Sequence, residues 1–410
     1  MDVLIVTHYF HPEVGASQTR LLELAQGLSR RGHGVTVLTG FPNYPDGVIQ
    51  APYRGRVLAV ENFAGLRVVR AAVYPAPNRG TARRLLNHAS FALSSMPASL
   101  RAGRADVVIV ETPPLFTAVA GVVVSRLKRA ALLLNVADLW PDVAIEMGAL
   151  RHRRVIAGAR VLERFAYRHA RRIAVPTPGL EQVLLERGYR ADEIVVVPHG
   201  VDPGRFPVAG TTTPPVPRRV VYCGTIGMGH ATRTLIDAAA ILERRDGGDY
   251  EFLIAGDGAE RPELEARARE LGLRSVTFVG RLPRAQLPTL LASASVGVAT
   301  QRELPLLASA LSTKVLEYMA AARPVVAAAS GWTAEVIRRA GAGIVCAPED
   351  AAALAEAVAR ISADPDRARA MGLSGRRYVE AHLTRTIAID RLADAVESVG
   401  AASTRRRTPR

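Results

Sequence analysis

Apolar and polar residues follow two periods along this chain. The runs at 3–7, 35–38, 66–73, 107–111 and 131–136 are apolar almost throughout, as strands buried on both faces would be. Between them lie segments with apolar residues every three or four positions. One is 16–30, with Leu21, Leu24, Ala25 and Leu28 inward, closed by Arg31-Gly32-His33-Gly34. Strand, helix and strand in succession make a βαβ unit and so a parallel sheet. The same rhythm returns after residue 218, with strands expected at 251–255, 276–279, 296–299 and 324–329 and helices at 232–244, 260–271, 351–362 and 366–372. The pattern therefore predicts an α/β protein with two doubly wound domains.

Breaks in the pattern set the boundaries. Residues 203–218 (PGRFPVAGTTTPPVPR) read as a linker between a domain at 1–202 and a domain at 219–374. A further helix is expected at 375–399, and the basic tail 400–410, with no large apolar residue, is expected to be disordered. Residues 41–56, rich in Pro, Gly and Tyr, read as a long loop. The stretch 79–104 is amphipathic, with arginines at both ends and Leu, Phe and Met between. It fits either a membrane-surface helix or a packed helix with solvated arginines. Residues 151–172 predict a basic helix with Val155, Ile156, Ala159, Leu162, Ala166 and Ala170 inward. Its arginines make a solvated face or a surface for lipid phosphates.

Composition changes this picture in three ways. At 410 residues the chain can bury two large cores. Its net charge of +15 is concentrated early: the first 200 residues hold 25 Lys and Arg against 15 Asp and Glu, the rest 28 against 23. Nucleic acid, phosphorylated substrates and an anionic membrane are the partners such a balance allows. Few aromatics, only two lysines and no recognisable binding module argue against nucleic acid. Cys223 and Cys346 sit in apolar runs and read as core residues. The N-terminus reads as a strand, not a leader peptide, and no run reaches the ~18 apolar residues of a spanning helix. A cytoplasmic protein is expected, with the inner face of the plasma membrane as the alternative setting.

Candidate chemistry gathers in 309–343. A helix is expected there, stopped by Arg323-Pro324, then a buried strand, a turn at 330–333, and a helix starting near Glu335. Lys314 and Glu317, three apart, share a helical face near its start. A chain with 53 Lys and Arg has only Lys128 and Lys314 as lysines, so an ammonium at 314 stands out. A surface ion pair and an anion site at a helix N-terminus are both consistent with this spacing. A second candidate is Gly224-Thr225-Ile226-Gly227-Met228-Gly229, a strand running into a glycine loop and a helix, which suits phosphate binding. A third is Asp138-Leu139-Trp140-Pro141-Asp142, at the carboxyl end of a strand, where α/β sheets place ligands. Asp138 also reads as a helix cap, with Trp140 as core.

The segments HYFHPEVGASQTRLLELAQGLSRRGHGVTVLT, DLWPD, PHGVD and KVLEYMAAARPVVAAASGWTAEVI, in this order along the chain, resemble the family 4 glycosyltransferases of GT-B fold. The likeness is strongest to those that build bacterial surface polysaccharides, such as the colanic-acid and N-acetylfucosaminyl transferases. It implies two Rossmann-like domains whose parallel sheets face across a cleft, with the last helix returning to the first domain. It implies a retaining transfer from a nucleotide-diphosphate sugar, with UDP as the nucleotide and no metal or other cofactor. Glu317 would bind the ribose. Gly15, Thr225, Gly227, Arg281, Leu282, Arg302 and Lys314 would complete the donor site, and His8, Glu13, Asp138 and Trp140 the acceptor side. Asp138, Lys314 and Glu317 would carry the chemistry, on an acceptor such as a polyprenyl-linked sugar. Two departures matter. The first glutamate of the family's paired motif falls on Ser309, and the expected arginine and lysine of the phosphate loop are replaced by Thr225 and the loop around His230. A sugar-nucleotide epimerase or phosphorylase of the same fold, a degenerate transferase and a nucleic-acid binder are the competing readings.

Overall fold

A computed structural model describes residues 1–13, 15–44, 46–77, 81–207 and 215–405. Parts of the loop 13–17, the loop 41–56, the start of 79–104, the middle of the linker and the end of the tail lie outside these residues. The chain forms two compact units, Met1–Pro198 with Ala388–Arg410, and His199–Ile387.

The first unit holds eight strands: β1 (Asp2–Val6), β2 (Gly34–Gly40), β3 (Leu58–Phe63), β4 (Leu66–Ala71), β5 (Val107–Thr112), β6 (Ala131–Val136), β7 (Arg172–Val175) and β8 (Ile194–Val196). Their order is β3-β4-β2-β1-β5-β6-β7-β8. All neighbours are parallel except β3 and β4. The apolar runs become strands because helices cover both faces. Strand β3 escaped the sequence reading: its residues alternate between partly buried and exposed, and it pairs only at the sheet edge. Ala64 and Gly65, both with positive φ, turn it into β4.

Helix boundaries also differ from expectation. The stretch 79–104 yields the helix Thr81–Ala98 and a 3-10 turn, Ser99–Ala102. The basic helix is Arg153–His169; Val155 is exposed, Ala170 lies beyond its end, and Glu163 and Tyr167 join the buried face. The helices expected at 366–372 and 375–399 are instead Pro365–His382 and Arg385–Arg405. Residues 400–405 therefore continue a helix, and only 406–410 lie outside the described chain. From Ala388 onward this last helix packs into the first unit's core with Leu24, Leu28 and Val107. Among the described residues no helix is long and apolar enough to cross a membrane.

The second unit is a six-stranded parallel sheet of β9 (Arg219–Cys223), β10 (Glu251–Ala255), β11 (Val276–Gly280), β12 (Val296–Thr300), β13 (Val325–Ala328) and β14 (Gly343–Cys346). Its order is β11-β10-β9-β12-β13-β14, the doubly wound arrangement that reverses between β9 and β12. These two strands pair only at Val296↔Val220 and Gly297↔Val221 and then separate. The helix Thr313–Ala320 closes the gap. The buried Tyr318 hydroxyl accepts from the Cys223 N–H at 3.0 Å and donates to the Val298 carbonyl at 3.0 Å. One side chain thus replaces two missing ladder bonds. The next helix, Gly331–Ala340, begins four residues earlier than Glu335, so the expected turn is its first turn.

Tyr318→Phe removes the hydroxyl and leaves the Cys223 N–H and the Val298 carbonyl without that partner, and an unsatisfied buried group costs about 1–3 kcal/mol. The variant should unfold at a clearly lower urea concentration; an unchanged midpoint would show that the bridge contributes nothing.

Candidate functional site

The two strand ends at the reversal of the second sheet lead into the loops 224–231 and 301–312. Gly224 follows β9 with φ +139, a conformation that favours glycine, and a Cβ there would lie 3.1 Å from Cε of Lys314. The loop folds over so that the His230 N–H donates to Gly227 and the Arg302 N–H donates to Gly229. The Thr300 hydroxyl donates to the His230 carbonyl at 2.5 Å. The phosphate-loop candidate and the end of β12 are thereby tied together at the opening where the sheet reverses.

Lys314 lies in the first turn of Thr313–Ala320 and is only 6% exposed. Its Nζ donates to the Tyr222 hydroxyl at 2.8 Å, sits 4.2 Å from the centre of that ring and lies 3.4 Å from His230 Nδ1. Among the described residues no carboxylate comes within ion-pair distance of it. Glu317 takes a different partner: Arg284 donates to its Oε1 at 3.1 Å. The surface ion pair between Lys314 and Glu317 is thus excluded. Their side chains diverge, one toward β9 and one toward the turn after β11. Burial raises the Glu317 pKa above the usual carboxylate range, and Arg284, then Arg385 and Lys314, oppose it. Lys314 and burial push the His230 imidazole down to about 3, so the ring is neutral.

Of the other candidates in this unit, Thr225 is exposed, and its carbonyl accepts from the Tyr222 hydroxyl at 2.7 Å. Gly227 is half-buried, Leu282 packs at the edge of the core, and Arg281 pairs with Asp257 at 3.0 Å. Arg302 is half-exposed near Glu260. Arg233, a further cation in reach by sequence, instead faces Asp237 along its own helix at 3.7 Å. Ser309 turns its hydroxyl onto the Leu306 carbonyl, so the residue in the first motif position is occupied by its own helix. Arg284, Tyr222 and Tyr318 were missed. Only their positions beside Gly280-Arg281-Leu282-Pro283, Gly224 and Glu317 offered a signal.

The first unit has its own polar group at the reversal of its sheet. Arg20 of the helix Ala16–Arg30 pairs with the buried Glu111 at the end of β5, and Asn135 of β6 donates to the other Glu111 oxygen at 2.6 Å. Asp138 follows β6 with its side chain reaching solvent; the protein around it raises its pKa, and Arg20 opposes. It caps no helix, since Pro141 stands at that position, and Trp140 is half-buried. His8 and Glu13 are not presented to solvent. His8 is buried against Tyr9, His88 and Phe91, with Nε2 donating to Asn87 at 2.7 Å. Glu13 accepts from the N–H groups of Asn43 and Tyr44, each at 2.8 Å, and so anchors the long loop. Gly15 has extended φ, which any residue adopts. Among the described residues no group of three or more His, Cys, Asp or Glu is placed to hold a metal.

Comparison with known proteins agrees with this layout. Residues 15–200 match the glycosyl transferase 4-like domain, and residues 217–364 match glycosyl transferases group 1. The 2-deoxystreptamine glucosyltransferase of Streptomyces kanamyceticus is 28% identical over 383 residues, 88% of this chain and 93% of that protein. The putative colanic acid biosynthesis glycosyl transferase WcaI of Escherichia coli K12 is 26% identical over 306 residues, 71% and 74% of the two chains. Among solved structures, a sucrose-phosphate synthase from Thermosynechococcus elongatus matches 98% of this chain and 99% of its own, with a TM-score of 0.77 at 20% identity. Anabaena HepE, solved with UDP and glucose, covers 97% and 99% with a TM-score of 0.71 at 18% identity. Matched in both units and over almost its whole length, the chain belongs to the family 4 glycosyltransferases and is a transferase of GT-B fold.

Proposed function

We propose that the chain is a retaining transferase that takes its sugar from a UDP-sugar bound at the reversal of the second sheet. The observation that carries this reading is Lys314, a buried ammonium with no carboxylate at hand. Placing a charge there is costly unless a counter-ion arrives. The diphosphate of a sugar nucleotide is such a counter-ion, and the loop and helix N–H groups around Lys314 can share it. As the glycosidic bond breaks, negative charge builds on that diphosphate, and a preformed cation stabilises it most at that moment. Glu317, held by Arg284, is the ribose anchor. The leaving phosphate takes the acceptor proton. Lys314 also favours an active enzyme over the degenerate reading, because it supplies charge where the usual arginine and lysine are absent.

Uridine is favoured by HepE, whose complexes hold UDP, UDP-glucose, and UDP with glucose. A role in surface polysaccharide assembly rests on the named task of WcaI. An acceptor at a membrane fits the helix Thr81–Ala98 and the turn after it. Leu86, Leu93 and Leu100, seven apart, are 50%, 68% and 71% exposed. No acidic residue occurs from 62 to 105, while Arg83, Arg84, Arg101 and Arg104 bracket the leucines. An apolar ridge between cations is what an anionic bilayer surface selects.

A nucleotide at ~100 times its dissociation constant adds about 2.7 kcal/mol to stability. UDP should therefore raise the melting temperature of the wild type, with GDP and ADP as comparison arms. Glu317→Ala should lose most of that response. Lys314→Met should weaken binding roughly 10- to 100-fold, yet melt no lower than the wild type without ligand, since it removes an uncompensated buried charge. A Lys314→Met variant that binds UDP normally contradicts the assignment.

The membrane reading predicts co-sedimentation with phosphatidylglycerol vesicles, much less with phosphatidylcholine vesicles, and loss of binding in Leu93→Glu. Equal behaviour of wild type and Leu93→Glu on anionic vesicles would reject that face.

A further inference from the structure

The loop after β9 lacks the expected cations, but it is not empty of donors. His230 Nδ1 lies 3.4 Å from Lys314 Nζ. An ammonium has protons to give and no lone pair to offer. Nδ1 must therefore be the acceptor, which leaves the ring proton on Nε2. The charge on Lys314, followed by burial, holds the ring neutral, so this tautomer persists. Among the described residues Nε2 has no hydrogen-bond partner, and it is not among the buried orphan atoms that His8, His11 and His33 possess. It is a free donor that reaches solvent.

The ring is also held in place. The His230 N–H donates to Gly227 at 2.9 Å, and its carbonyl accepts from Thr300. The next residue, Ala231, has φ +45 and opens the helix Thr232–Asp246. The Lys314 ammonium thus lies against the imidazole, and two residues on from His230 a 15-residue helix begins.

We propose that His230 binds the donor's diphosphate through Nε2–H, as a neutral donor whose tautomer is set by Lys314. This rests on the donor-site reading above and deepens it. In this chain one buried lysine serves two ends: it faces the anion directly, and it orients a second, uncharged donor toward it. The arrangement replaces a pair of cations with a cation and a dipole. Direction is kept with less total charge, and a neutral donor holds a departing diphosphate less tightly than a second cation would.

The test uses the full-length protein with its histidines labelled with nitrogen-15, the His230 signals being identified by their loss in His230→Gln. Long-range proton–nitrogen spectra of the ligand-free wild type should show Nδ1 bare and Nε2 protonated. Saturating UDP should move the Nε2–H resonance, and uridine should not. By calorimetry, His230→Ala should weaken UDP about tenfold or more and leave uridine unchanged. His230→Gln, whose amide nitrogen approaches the Nε2 position, should recover most of the loss. An Nδ1–H tautomer or a charged ring in the ligand-free protein overturns the proposal. So does a His230→Ala variant that binds UDP like the wild type, or that loses UDP and uridine equally. In those cases the wild type still binds UDP and the donor site stands. A wild type that binds none of UDP, GDP and ADP takes both readings down.

Discussion

The second unit depends on how its sheet is repaired where β9 and β12 part. A parallel sheet that reverses direction at its centre leaves backbone groups without ladder partners. Here the repair comes from one helix, Thr313–Ala320. Tyr318 fills the gap with its hydroxyl, bonded to both strands. This fixes the helix to within hydrogen-bonding tolerance, and everything functional on the helix inherits that position. Lys314 is one turn toward its N-terminus and Glu317 is the preceding residue. Tyr318 and the two candidate site residues therefore share one helix tied to both strands.

The close backbone approach around it has the same origin. A Cβ on Gly256 would lie 1.8 Å from the Gly224 carbonyl, so only glycine lets the ends of β9 and β10 come this near. Gly224 in turn lies against the Lys314 stem, and among the described residues no carboxylate stands within ion-pair distance of the ammonium. The site is thus held in an unsatisfied state: the cation is donated to a phenol and to a neutral imidazole, both weak substitutes for an anion. On the proposed reading, stability is given up locally so that a charged ligand has something to gain, a trade that functional sites commonly make.

Much of this was legible in the sequence. Buried parallel strands announce themselves as continuous apolar runs, and the helices between them as three- and four-residue periods. Lys314 was visible because it is one of two lysines among so many arginines. What failed were the pairings. The spacing of Lys314 and Glu317 suggested that they pair with each other. Their actual partners lie 92 and 33 positions away, at Tyr222 and Arg284, and only the fold brings those together. Strand β3 was lost because an edge strand with partly exposed residues has no strong apolar signature. His8 and Glu13 were placed on the acceptor side by the family resemblance of their segment. In the structure both are buried: His8 bonds Asn87, and Glu13 accepts from the N–H groups of Asn43 and Tyr44 in the long loop. The network of Arg20, Glu111 and Asn135 joins a helix and two strands, and no local motif points to it.

The central claim is that Lys314 is buried without a counter-charge in order to receive a nucleoside diphosphate. A crystal structure of the full chain with UDP tests it most directly. The account predicts a diphosphate oxygen about 3 Å from Lys314 Nζ, with the ribose hydroxyls on Glu317. A nucleotide bound elsewhere, or one that leaves Lys314 facing only Tyr222 and His230, would contradict it.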